Sequence, residues 1–291
     1  MRNEETMYQL ILDIANKDDT ILAVYMNGSR TNPNVPKDIF QDYDIVYVVK
    51  ETKRFIEDRD WIKQFGTILY MQYPDENPFC PSDPEHSYGW LMQFADGNRV
   101  DLTVKTLDCA REDVLADRLC KILLDKAQVL PDIPESTDED HWVKAPTEAQ
   151  FQAVCNEFCW CTNNLAKGLW REEITYVQDM ANFVVRKQLE TMLSWKIGIL
   201  TEFHVSIGKS GKYMKDYLAK EEYEQYLATY FDGNISHAWE SVLCMCTLFE
   251  QTARYVAEHL HDRYLAEEGK AARDFLEHVR ELPKDAQEVY C

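Results

Sequence analysis

An α+β domain followed by an all-α helical bundle is the fold class this sequence predicts, on three observations. The first half alternates helical and strand periodicities, the pattern of a mixed sheet with flanking helices. Beyond residue 147 the strand signals stop and only helical periodicities continue. Between them, "PDIPESTDEDHWVKAPT" (131–147) carries three prolines and five carboxylates without periodicity, and reads as a connection. The expected domains are residues 1–135 and 146–291, with a linker at 136–145.

Each element has its own signal. Residues 4–17 space Met7, Leu10, Ile11 and Ile14 at the helix period. "TILAVYM" (20–26) and "DIVYVV" (44–49) read as strands, and a charged helical stretch near 52–65 leads to a third, "GTILYMQY" (66–73). "YGWLMQFADGNRVDLTVKTL" (88–107) reads as a β-hairpin, because Asp96-Gly97 favours the positive φ of a tight turn. Residues 110–123 read as a helix, and "AQVLPD" (127–132) as a short final strand or edge. In the second half Phe151, Val154, Cys155, Phe158 and Leu165 share a helical face, opened by a Thr147/Gln150 capping box. Helical patterns continue at about 172–203, 213–230, 234–265 and 269–281, interrupted at "SIGKSGKY" (206–213) and "FDGN" (231–234).

Composition narrows the partners. The net charge of −20 repels nucleic-acid phosphates and anionic lipid, and no basic run exceeds two residues. Nucleic acid and membrane surfaces are therefore excluded as expected partners. No run of about 18 apolar residues exists to span a bilayer. The acidic, amphipathic N-terminus lacks a signal peptide's apolar core, so a cytoplasmic location is expected. The nine cysteines sit mostly in apolar runs without the paired spacing of a zinc site, and read as buried thiols. The seven histidines form no metal pattern.

The chemistry is carried by aspartates where a strand former would be expected. In "QDYDIVYVV" Asp42 and Asp44 lie two residues apart at the head of a strand. They therefore project from one face, about 6–7 Å apart. Two such carboxylates repel, and one takes up a proton unless a cation neutralises them. Magnesium is the simplest remedy, because it binds one or two carboxylates together with substrate phosphate oxygens. In "NRVDLTV" Val100, Leu102 and Val104 make the apolar face, leaving Asp101 on the other. If that strand lies beside 44–49, about 4.8 Å away, Asp101 joins the pair. Three carboxylates and magnesium suit phosphoryl-type transfer, and a carboxylate facing the acceptor hydroxyl can remove its proton. Upstream, "NGSRT" offers Gly28 for close backbone approach to a phosphate, Ser29 as a donor and Arg30 as a cation.

Twelve residues separate Ser29 from Asp42 in "NGSRTNPNVPKDIFQDYDIVYVV". This stretch resembles the nucleotidyltransferase superfamily, in which a glycine-serine pair precedes Asp-x-Asp at a strand start. The chain is more closely similar to the aminoglycoside 6-adenylyltransferases, which modify streptomycin. That similarity extends through "PEHSYGWLMQFADGNRVDLTV", "NEFCWCTNNLAKGLWREEI", "NFVVRKQLETMLSWKIG" and "GKSGKYMKDYL". It departs from the superfamily pattern at Asn27, where an apolar residue usually precedes the glycine. The resemblance implies a nucleotidyltransferase-like mixed sheet, with ATP as co-substrate held by Ser29 and Arg30. It implies Mg2+ on Asp42 and Asp44, with Asp101 completing the set as candidate base. AMP would pass to a hydroxyl of a cationic aminoglycoside, most expectedly streptomycin at the 6 position, and the acidic surface fits that acceptor. ATP and acceptor are expected to meet between the two domains. A nucleotidyltransferase with another acceptor, and a non-catalytic nucleotide- or cation-binding protein, stand as alternatives.

Six further residues carry weaker signals. Lys212 in "GKSGKY" is either a triphosphate contact or a solvated lysine in a helix–helix turn; the P-loop spacing is absent. Glu157 in "NEFCWC" and Asp179 in "YVQDMANF" are either salt-bridged surface carboxylates, ligands for the acceptor's cationic groups, or a base in place of Asp101. His86, Tyr88 and Trp90 alternate along a strand and either flank the adenine or sugar or pack in the core, with core packing the favoured role.

Overall fold

The computed structural model describes residues 1–290. They form two compact units, the first spanning Met1–Asp140 and the second beginning at His141.

The first unit is built on helix α1 (Glu4–Lys17) and strands β1 (Ile21–Asn27) and β2 (Tyr43–Val49). Then come the short α2 (Lys53–Glu57), β3 (Ile68–Gln72), β4 (Ser87–Phe94), β5 (Arg99–Thr106), α3 (Leu107–Ala116) and β6 (Cys120–Asp125). The strands make one mixed sheet in the order β3-β4-β5-β2-β1-β6, in which β2 and β5 run parallel and every other pair antiparallel. Asn3 caps α1 by accepting the Thr6 N–H at 2.8 Å. The helix then buries Met7, Ile11 and Ile14 against Ile45, Tyr47, Leu102 and Val104 on one sheet face. Tyr47 reaches across that core to donate to the Ile11 carbonyl at 2.7 Å, so its buried hydroxyl is satisfied. The opposite face carries a smaller core, in which Ala110 and Val114 of α3 pack on Ala23, Tyr25, Val46 and Val48.

Two expectations change here. The helix expected at 110–123 ends at Ala116, and Cys120–Asp125 is a strand paired antiparallel with β1, ahead of the strand expected at 127–132. "CKILLD" is short enough to suit either period, and the unpaired edge of β1 decides it. Gln128 at φ 52° then turns the chain out of the sheet. The stretch 52–65 is not one helix but α2 and a 3-10 turn at Trp61–Phe65.

The second unit is entirely helical. It comprises α4 (Glu148–Trp170), α5 (Ile174–Met180), α6 (Arg186–Leu200), α7 (Lys220–Ala228), α8 (Ile235–Leu260) and α9 (Ala266–Glu281). The capping box at Thr147 is present, with Thr147 N–H on Gln150 Oε1 at 2.9 Å and Gln150 N–H on Thr147 Oγ1 at 3.3 Å. Phe151, Leu165, Leu189, Met192, Met245, Phe249 and Leu276 belong to one core, and Phe158 stacks on Phe249 at 3.7 Å. A π-helical turn, Ala181–Val185, joins α5 to α6 and leads to Arg186. That guanidinium is buried: it donates to Asn182 and Thr229 and lies 3.9 Å from the Tyr230 ring. The helix expected at 213–230 forms only over Lys220–Ala228. Positive φ at Gly208, Ser210 and Gly211 holds the preceding loop out of helical geometry. No described helix is long and apolar enough to cross a membrane. The eight described cysteines are unbonded.

Candidate active site

The site begins with a glycine that has no room for a side chain. Gly28 follows β1 with φ 78°, and a Cβ there would stand 2.1 Å from Asp44 Oδ2. Its N–H donates to the Leu119 carbonyl at 3.2 Å. Its own carbonyl accepts from Thr31 N–H at 3.1 Å and Thr31 Oγ1 at 2.8 Å, closing the 3-10 turn Ser29–Thr31. Ser29 opens that turn half-buried, and its carbonyl accepts from Gln41 Nε2 at 3.3 Å. Turn and loop are thereby tied together.

Asp42 stands just before β2, Asp44 within it, and Asp101 in β5, where parallel pairing sets Asp44 opposite Asp101. One oxygen from each of the three lies within 4.8 Å of the others, and all three residues are half-buried. This is the face away from Ile45, Leu102 and Val104, as strand alternation requires. Desolvation pushes the Asp44 carboxyl up to about 7, with further repulsion from Asp42 and Asp101. Three hard oxygen donors this close, one of them disfavoured in its charged form, fit a divalent cation, which would remove the repulsion.

Arg99 is the residue the sequence reading missed. Its Nε donates to Asp101 Oδ1 at 2.7 Å and its Nη2 to Oδ2 at 2.5 Å, a bidentate pair, while Asp42 Oδ2 lies 3.5 Å from Nε. Asp101 in turn holds the Arg99 pKa above its ordinary value. The available signal was the spacing "RVD", which puts a cation and a carboxylate on the same strand face.

Arg30, expected on the triphosphate, has these partners in the protein. Its Nε donates to the Asp42 carbonyl at 2.9 Å and its Nη2 to that of Gln41 at 2.7 Å. Its guanidinium lies 3.7 Å from the Tyr43 ring, and the side chain is 8% exposed. Arg30 therefore holds the loop that presents Asp42. Thus Gly28, Ser29, Arg30, Asp42, Asp44 and Asp101 come together in the first unit.

Lys212, Glu157 and Asp179 belong to the helical unit. Lys212 is exposed, with Nζ 5.0 Å from the Tyr213 ring. Glu157 is exposed on α4 and accepts from Cys161 Sγ at 3.4 Å. Asp179 is exposed near the end of α5. Tyr88 and Trp90 are core residues, and His86 pairs with Asp83 at 2.8 Å outside it.

Comparison with known proteins shows the family. A family model described as streptomycin adenylyltransferase matches residues 1–279. An aminoglycoside 6-adenylyltransferase of Campylobacter jejuni is 39% identical over 264 residues, covering 91% of each chain. One from Bacillus subtilis (strain 168) is 36% identical over 266 residues, covering 91% of this chain and 93% of its own. A crystal structure of an aminoglycoside 6-adenyltransferase from Bacillus subtilis is 30% identical. It covers 97% of this chain and 100% of its own with a TM-score of 0.48.

Proposed function

This chain belongs to the streptomycin adenylyltransferase family, a family of nucleotidyltransferases, and on that premise we propose that it transfers AMP from ATP to the 6-hydroxyl of streptomycin. The observation that carries the reading is the convergence of Asp42, Asp44 and Asp101 within 4.8 Å, with Gly28 packed directly on Asp44. Asp42, Asp44 and Asp101 would hold magnesium, which supplies charge neutralisation for the phosphates and the leaving pyrophosphate.

The chain's own groups account for the rest. The Gly28–Thr31 turn offers close backbone approach and the Ser29 hydroxyl to the triphosphate. Asp101 takes the proton of the acceptor hydroxyl as its oxygen bonds the α-phosphorus and pyrophosphate departs. For that, one Asp101 oxygen must be released by Arg99, whose guanidinium stays near the developing negative charge. We assign Mg-ATP to the N-terminal domain and part of acceptor recognition to the helical one. Glu157 and Asp179 are its candidate carboxylates and Lys212 a candidate phosphate contact. A cytoplasmic setting fits an ATP-consuming reaction and unbonded thiols.

The test is pyrophosphate release from ATP, with magnesium and streptomycin added separately and together. Release only when both are present is expected. Release that ignores streptomycin contradicts the acceptor, and release that survives a metal chelator contradicts the metal.

A further inference from the structure

We propose that Asp75 is a specificity-determining residue for the acceptor, holding one of its cationic groups on the sheet face where Asp101 meets its hydroxyl. This inference rests on the reading that the acceptor is a cationic aminoglycoside.

The placement follows from where a strand ends. β3 pairs with β4 only from Ile68 opposite Phe94 to Gln72 opposite Leu91, while β4 runs on to Ser87. Beyond Gln72 the chain leaves the sheet at Pro74. There Asp75 Oδ2 accepts the Gly89 N–H at 2.8 Å, in place of the missing strand. The turn is held rigidly. The Asp75 carbonyl accepts from Ser82 Oγ at 2.9 Å, and neighbouring Glu76 accepts the Tyr88 hydroxyl at 2.6 Å.

The face is the catalytic one. Gly89 stands opposite Thr103, and Leu91 opposite Asp101. Tyr88, Trp90, Leu102 and Val104 fill the core on the other side, so Gly89, Leu91, Asp101 and Thr103 share the Asp101 face. A Cβ on Gly89 would lie 3.5 Å from Asp75 Oδ2, so the carboxylate stands at the edge of β4 beside that face. Diagonal neighbours on adjacent strands are roughly 7–8 Å apart, so Asp75 stands one hydrogen bond beyond that distance from Asp101. A ring carrying the reacting hydroxyl at one edge and a guanidinium or ammonium at another spans such a gap.

Asp75 is half-buried, so its free oxygen is open to a ligand. Asp75 Oδ1 has no hydrogen-bond partner among the described residues. The cations of β5 and of the turn's surroundings have other carboxylate partners: Lys105 pairs with Asp113 at 2.8 Å, Arg99 with Asp101, and Arg59 with neighbouring Glu76. A neutral asparagine would satisfy the Gly89 N–H equally well, so the turn itself does not require the negative charge. A carboxylate here repels a triphosphate. The cation it suits is on the acceptor.

The experiment compares wild type with Asp75→Asn and Asp75→Glu, measuring KM for streptomycin and for ATP together with kcat. Asparagine keeps the acceptor for Gly89 and removes only the charge. The expected result for Asp75→Asn is a streptomycin KM raised about tenfold, the scale of one lost charge-assisted contact. kcat and the ATP KM stay within about twofold, and Asp75→Glu recovers part of the loss. An unchanged streptomycin KM overturns the proposal, as does a joint loss of kcat and ATP affinity, which marks a structural role. Wild type that transfers AMP to no cationic aminoglycoside overturns the underlying reading and this inference with it.

Discussion

Gly28 and Asp44 compete for one volume: a Cβ on the glycine would sit 2.1 Å from the carboxylate oxygen. Backbone shape and metal ligation thus depend on the same missing side chain. Gly28→Ala adds a clash to a backbone at φ 78° and ψ −159°, a region all but reserved for glycine that itself costs an alanine about 1–3 kcal/mol. The expected outcome is lower thermal stability together with weaker Mn2+ binding, read by paramagnetic titration. Weakened metal binding without displacement of Asp44 in a crystal structure would separate the two effects and contradict this account.

Asp44 makes stability depend on pH with a definite sign. Its carboxyl is held up at about 7, against an ordinary 3.8. Between those values the folded protein keeps a proton that the unfolded chain has released, so the contribution of Asp44 to stability is lost as pH rises through 7. Denaturant unfolding in chelator should therefore show wild type losing stability from pH 5 to pH 8 relative to Asp44→Asn. Magnesium should restore it at the upper end. Parallel pH profiles for the two proteins would show that Asp44 titrates normally.

Arg99 occupies Asp101 with both of its donors, so the guanidinium and a metal ion compete for one carboxylate. Arg99→Met should tighten Mn2+ binding to the nucleotide-free protein by up to about tenfold, while lowering kcat. Unchanged metal affinity would mean that Arg99 and the metal use different oxygens.

Arg30 can be tested for what its charge does. As a fork on the Gln41 and Asp42 carbonyls it cannot be replaced by lysine, which lacks the planar donors and the stacking on Tyr43. Arg30→Lys should lose metal affinity nearly as fully as Arg30→Ala. Recovery by lysine with an intact ATP KM would return Arg30 to the phosphates.

Much of this arrangement is legible in the sequence because it rests on period. The spacing of Met7, Ile11 and Ile14 marks α1, Asp96-Gly97 marks the hairpin, and Thr147 with Gln150 marks the start of α4. Alternation alone sets Asp42 and Asp44 on one face, and Asp101 opposite the apolar side of its own strand. What period leaves open is pairing. "CKILLD" becomes a strand because β1 has a free edge, and Asp44 meets Asp101 because β2 and β5 lie in register. The hold of Arg30 on the Gln41 and Asp42 carbonyls is not legible, because no sequence motif displays backbone acceptors. Asp75 is invisible for the same reason, since its partner is the Gly89 N–H of another strand. The interruption at 206–213 is legible from its glycines, whereas the end of α6 is followed by Glu202 and Phe203 at φ 53° and 60°, which their residue types do not announce.

The most direct test of the central claim is the identity of the products. Streptomycin incubated with the protein, ATP and magnesium should gain one adenylyl group at its 6-hydroxyl by mass spectrometry and NMR, with pyrophosphate released in equal amount. Recovery of ADP with a phosphorylated antibiotic, or of unmodified streptomycin beside intact ATP, would contradict it.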